Sequence, residues 1–189
     1  YSSFAEDYIT EYQKTKNAGR EMGINVIFGV ELTYELSPKI HILLYGATPD
    51  FIRQNKDLWL MDSHSLYEKC RKNGICVIQA HPFRRGTQPI PYSDCDGYEI
   101  NCHPKYGNTD SDKTIKMQEE KGFAVTCGCD FHGETYRAEG GTYLPDNVKD
   151  EKDLARFLLE TNKIKLRVHE INPPEIKEYE FKIGTAAEK

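Results

Sequence analysis

Five side chains able to ligate a metal stand at or just past the ends of apolar, β-prone runs: Glu31, His81, His103, Asp130 and His132. The last two follow Phe123-Ala124-Val125-Thr126-Cys127, a buried-strand pattern that begins after Gly122 and is released at Gly128. In extended chain Asp130 and His132 point the same way with Cα atoms about 6.6 Å apart, which suits two neighbouring ions better than one shared ion. His81 follows the buried run Ile75–Ala80 and precedes Pro82, which favours an extended backbone and so fixes where the ring points. Glu31 closes the run that begins at Ile24, and His103 follows the short strand pattern Asp96–Asn101. Taken singly, each is an ordinary solvated loop residue. Recurrence at successive strand ends is what points to a site. A carboxylate able to bridge, neutral imidazoles and an Asp, with no Ser or Cys nucleophile paired to them, are the ligands of metal-assisted hydrolysis. Arg84 and Arg85, close behind His81, add guanidinium groups suited to bidentate phosphate binding.

The elements that must position these groups alternate. Helices are expected over Phe4–Met22, Asp62–Lys72 (capped by Asp62 or Ser63), Ser111–Lys121 and Glu151–Thr161 (capped by Asp150), with a short or irregular helix over Pro49–Trp59. Strands are expected over Ile24–Phe28, Ile75–Ala80, Asp96–Asn101 and Phe123–Cys127, and terminal strands over Ile164–Val168 and Tyr179–Ile183. Leu32–Ser37 and Lys39–Tyr45 read as a hairpin about Ser37-Pro38. Within it His41 reads as packing or facing solvent, and His64 reads as a surface residue. Alternating helix and strand predicts a parallel sheet, open or closed into a barrel, with functional groups at the strand C-terminal ends.

Composition narrows the classes. A chain of 189 residues with 38% hydrophobic content can build one sizeable core, so a single domain over 1–189 is expected, with 170–189 as a C-terminal extension. A net charge of −5 argues against a nucleic-acid partner. No apolar run approaches the roughly 20 residues that span a bilayer, and acidic and basic residues interrupt the first thirty positions, so neither a membrane partner nor a secretory signal is expected. The six cysteines lack zinc-site spacing and read as reduced, mostly structural thiols, which with the missing signal predicts a cytoplasmic protein.

Gly29-Val30-Glu31, Ala80-His81-Pro82-Phe83-Arg84, Tyr98-Glu99-Ile100-Asn101 and Gly128-Cys129-Asp130-Phe131-His132 resemble, in order and spacing, the later motifs of the polymerase and histidinol phosphatase (PHP) family. Members are distorted TIM-like β/α barrels that hold up to three divalent metals and mostly hydrolyse phosphate esters. The resemblance implies that Glu31 bridges two ions, that His81 binds the second of that pair and Asp130 the first, and that His132 binds a third. His103 stands in the loop where the family often places a further histidine. Arg84 would be the catalytic group facing the phosphate of a small phosphorylated substrate, and the ions would be drawn from Mn, Zn, Fe and Mg. The family's opening H-x-H and T-D-H motifs do not occur in these 189 residues. The chain is therefore expected to be most of a PHP domain whose N-terminal strands lie outside it, with little turnover by itself. The alternatives are a non-catalytic PHP-like binding or structural module and a metal-dependent amidohydrolase.

Overall fold

The structure, a computed structural model, describes residues 2–34, 39–103, 111–134, 139–171 and 174–184. Helix α1 (Ser2–Glu21) leads into β1 (Gly29–Tyr34) and β2 (Ile40–Tyr45), and α2 (Pro49–Gln54) and α3 (Ser63–Lys72) follow. Strand β3 (Cys76–Gln79), β4 (Gly97–Asn101), α4 (Ser111–Lys121) and β5 (Ala124–Gly128) come next. The short β6 (Gly141–Thr142), α5 (Glu151–Glu160), β7 (Lys163–Ile171) and β8 (Pro174–Lys182) complete the chain. Helix starts obey local chemistry. The Asp62 carboxylate accepts from the Ser65 N–H, and Asp150 accepts from the N–H groups of Lys152 and Asp153. Gly74, at φ 70°, takes the left-handed conformation that stops α3.

The fold is mixed α/β. Five strands form one sheet in the order β1-β2-β3-β4-β5, and β6-β7-β8 form a second, antiparallel sheet. Strands β3, β4 and β5 run parallel as expected, but β1 pairs antiparallel with β2, and β2 antiparallel with β3. The antiparallel β1–β2 pair agrees with the expected hairpin, the parallel sheet expected from the alternation of helix and strand is corrected at β2–β3, and among the described residues no closed barrel forms. For β1 and β2 the reason is connection length: parallel neighbours need a crossover of a dozen or more residues, which residues 35–39 cannot supply. The Ser37-Pro38 turn itself lies outside the described residues, as do Pro104 and Pro173.

The run Ile24–Phe28 is not a strand. Gly23, at φ 72°, reverses the chain after α1, and the Ile24 N–H returns to the Gly19 carbonyl at 2.7 Å. Phe28 is buried against the Tyr8 and Tyr12 rings, with centroids 5.8 and 4.9 Å away, so it anchors α1 rather than pairing with a neighbour. Strand β1 starts only at Gly29. Glu31 consequently sits within a strand and not past its end.

Two apolar clusters hold the sheets. One packs Leu44, Val77 and Tyr98 against Leu66, Cys70 and Phe123; the other joins Ile78, Ile100 and Val125 to Ala155, Leu158, Ile164 and Leu166. Each such Leu, Ile, Val or Phe side chain, fully buried, contributes roughly 1.5–3 kcal/mol. All six cysteines are free and five are buried, among them Cys76 and Cys127 on their strands. Among the described residues no helix is long and apolar enough to cross a membrane.

The parallel pair β4–β5 leaves no room above Gly97, where an added Cβ would stand 1.7 Å from the Ala124 carbonyl oxygen. Because that neighbour is backbone, it cannot swing aside. Gly97→Ala is expected to destabilise the protein by about 4 kcal/mol or more. Gly29→Ala, where a Cβ meets nothing within 4 Å, should leave stability unchanged or raise it by up to about 1 kcal/mol. Urea unfolding followed by far-ultraviolet circular dichroism measures both.

Candidate metal centre

The antiparallel hairpin builds the first half of the site. Its register pairs Thr33 with His41 and Glu31 with Leu43, so Glu31 and His41 are diagonal neighbours on one face. Their side chains meet, His41 Nδ1 to Glu31 Oε1 at 2.6 Å. Strand β3 delivers the third group. The Ala80 N–H bonds to the His41 carbonyl at 3.0 Å, which seats the end of β3 beside His41. The next residue turns sharply, and His81 has φ 33°. The expected extended backbone before Pro82 is therefore wrong. His81 is instead a left-handed residue whose N–H points at the Glu99 carboxylate (3.3 Å) and whose carbonyl accepts from the Arg84 N–H (3.0 Å). This turn places the ring 4.8 Å, centroid to centroid, from that of His41, with Nε2 3.9 Å from Glu31 Oε1.

Glu31, His41 and His81 each offer a ligand atom, and these atoms lie within 4.8 Å of one another. Tetrahedral ligands about 2.1 Å from an ion are roughly 3.4 Å apart, so the group closes on an ion with small side-chain movements. Two observations fit a divalent cation. His81 is 2% exposed, and neither ring nitrogen has a hydrogen-bond partner, an arrangement that costs stability unless something binds there. Burial, helped by the charges of Arg84 and His41, also pushes its pKa down to about 4, which keeps the imidazole neutral as a ligand must be. Two imidazoles and one carboxylate are a familiar set for zinc sites that keep a position open.

A second group lies at the ends of β4 and β5. Arg84 Nη2 donates to Asp130 Oδ2 at 2.5 Å and reaches Asn101 Oδ1 at 3.4 Å. His132 Nε2 meets Asp130 Oδ1 at 2.8 Å. Burial opposes ionisation of Asp130, but the Arg84 guanidinium and the charge of His132 outweigh it and hold the carboxyl below its usual range. Asp130 is left-handed, at φ 51°, so the extended geometry expected for Asp130 and His132 does not hold; they meet by this hydrogen bond instead. His103 is buried, with its N–H on Asn101 Oδ1 at 3.0 Å and its ring centroid 6.3 Å from that of His132. Burial lowers its pKa.

The structure therefore brings Glu31 and His81 together with His41, which the sequence reading assigned to packing or solvent. It brings Arg84, Asp130 and His132 together, with His103 alongside, and among the described residues these do not join the Glu31 group. The signal for His41 was available. In a hairpin, Glu31 and a histidine displaced two residues from its partner share a face, and His41 is the polar residue of the apolar run Ile40–Tyr45. Glu99, between the two groups, accepts from the His81 N–H at 3.3 Å and from Asn101 Nδ2 at 3.2 Å. Burial, helped by the charges of Glu31 and Asp130, outweighs the pull of those hydrogen bonds and leaves its pKa pushed up to about 7. In comparisons with known proteins, no family model and no curated protein matches the chain.

Because the folded pKa of Glu99, about 7, lies above the ordinary 4.5, the folded state holds the extra proton between these values. Stability is then lost as pH rises through that window, by on the order of 3 kcal/mol once it is passed. His81 runs the other way, losing stability as pH falls from 6.5 towards about 4. In chelator, Glu99→Gln should match the wild type near pH 4.5 and exceed it by roughly 2–3 kcal/mol at pH 8. Urea midpoints across this range measure the difference. A variant that tracked the wild type throughout would rule out an ionisable, buried Glu99.

Proposed function

We propose that the chain carries the site of a metal-dependent phosphoesterase of the PHP type, built on a distorted β/α barrel to which both sheets belong. The observation that carries this reading is the buried His81 ring, without hydrogen-bond partners, beside His41 and Glu31. Glu31, His41 and His81 would hold a divalent ion, with Zn, Mn, Fe and Mg as the candidates. Such an ion supplies Lewis acidity and brings the pKa of water towards neutrality. The neutral His81 offers a lone pair without a proton to displace, and Glu31 supplies the negative charge that balances the ion. Arg84, whose guanidinium is next to the site, donates to phosphoryl oxygens where charge accumulates. Glu31 also lines a largely apolar cavity of about 330 Å³ with Tyr8, Ile52, Leu58 and Trp59, room for the alcohol part of a small ester.

A second reading is favoured by one observation. Asp130, the carboxylate that a second ion would need, accepts from Arg84 and meets His132. A metal-binding module with a single ion and no turnover has that arrangement too.

The two readings separate by anion binding. The chain should bind one equivalent of Zn²⁺ or Mn²⁺ by calorimetry. Loss of the side chain in His41→Ala or His81→Ala should weaken binding by more than the roughly 10–100-fold that loss of a supporting partner costs. The metal-loaded chain of a phosphoesterase also binds inorganic phosphate, weakened about tenfold in Arg84→Ala, and what little turnover it shows is of a phosphate monoester and is chelator-sensitive. Metal binding without phosphate affinity would support the binding module. Turnover of a cyclic amide in place of the ester would support an amidohydrolase.

A further inference from the structure

We propose that Glu99 is a positioning residue for this centre: its buried carboxylate pins the main chain of His81 in the left-handed conformation that presents the imidazole to Glu31 and His41. The functional consequence rests on the metal-binding reading, whereas the geometry does not. His81 carries a side chain at φ 33°, a region that L residues rarely adopt, and it immediately precedes a proline. Such a conformation persists only where the surroundings over-determine it. The carbonyl side is held by the Arg84 N–H at 3.0 Å, and the single Thr87 hydroxyl proton is in reach of three carbonyls of this turn, those of Arg84 at 2.7 Å, Pro82 at 3.0 Å and His81 at 3.3 Å. The amide side is held by Glu99 Oε2. Without that acceptor the His81 N–H would be a buried donor with nothing to bond.

The position of the carboxylate is itself fixed. Asn101 Nδ2 donates to the same oxygen at 3.2 Å, while Asn101 Oδ1 accepts from the His103 N–H and from Arg84. On the other side, a Cβ at Gly128 would stand 2.5 Å from Glu99 Oε1, so the absence of a side chain there admits the carboxylate. One buried group therefore joins the ends of β3, β4 and β5. A carboxylate is an expensive choice for a structural acceptor at 7% exposure, and its contacts run to the backbone of His81 and the amide that also carries Arg84.

The test uses the whole chain and three variants. Glu99→Leu removes the acceptor, Gly128→Ala displaces the carboxylate while keeping it, and Glu99→Gln keeps an acceptor of the same reach. Hydrogen exchange by mass spectrometry reads the peptide Gln79–Arg84 in chelator. Calorimetry reads Zn²⁺ affinity. Exchange in that peptide should accelerate at least fivefold in Glu99→Leu and Gly128→Ala, with the strands elsewhere unchanged, and Glu99→Gln should restore it. Zn²⁺ affinity should fall about 10–100-fold in the first two and stay within about threefold in Glu99→Gln. If Glu99→Leu does not fold, Gly128→Ala decides alone. Unchanged exchange in the folded variants overturns the inference, whether or not the chain binds metal. Zn²⁺ bound by the wild type, lost in His41→Ala and undiminished in Gly128→Ala overturns it while leaving the centre intact. A wild-type chain that binds no Zn²⁺ overturns the centre, and the exchange data still decide the role of Glu99.

Discussion

The Glu99 carboxylate, buried where three parallel strands end, is the interaction on which the rest of this end of the molecule depends. It stands opposite Thr126 in the β4–β5 register, one step from Gly128. Several residue choices follow from it. Gly128 lacks a side chain because Glu99 Oε1 occupies the space. Asn101 is an amide because the position needs a donor towards Glu99 and an acceptor for His103 and Arg84 at once, and an acid in its charged form, or an alcohol, fills that pair of roles less well. His81 can be left-handed because its N–H has somewhere to go.

Electrostatics follows from the same crowding. Both Glu31 and Asp130 raise the pKa of Glu99. Burial keeps His81 neutral and lowers the pKa of His103, so these two imidazoles supply no balancing charge. Arg84 offsets one carboxylate directly. A pocket with more carboxylates than cations, and with neutral imidazoles in reach, has an excess of negative potential that a divalent ion relieves. Structural ion-pair networks also shift pKa values. They do not, however, leave a buried imidazole with two unbonded nitrogens.

Much of this was legible in the sequence because the signals are local. The caps of Asp62 and Asp150 and the stops at Gly74 and Gly122 act over one helical turn. The apolar runs of β3, β4 and β5 identify buried strands without knowledge of their neighbours. What was not legible depends on partners far along the chain. Phe28 completes an apolar run that looks like a strand, and only the Tyr8 and Tyr12 rings of α1 explain why it is not one. His41 becomes a site residue only once β1 and β2 pair antiparallel and Ala80 docks on its carbonyl. Local rules also put His81 in the wrong conformation. A residue before proline prefers extended backbone, and the contrary geometry is imposed by Glu99, eighteen positions away.

Two failures of local rules meet in one place. The two non-glycine residues of the described chain with positive φ are His81 and Asp130, and each such conformation costs on the order of 1–3 kcal/mol. The unbonded His81 nitrogens add a penalty of about 1–3 kcal/mol for each unsatisfied group, and the buried Glu99 adds its own. At the helix starts, by contrast, Asp62, Asp150 and Thr48 satisfy the orphan amides. Although buried carboxylates also occur elsewhere, at Asp94, Asp96 and Glu170, both strained residues, the buried Glu99 and the unbonded His81 ring share this one end of the sheet. Their concentration at the ends of β3, β4 and β5, next to the one face of the hairpin that carries Glu31 and His41, separates this end of the sheet from an ordinary set of loops.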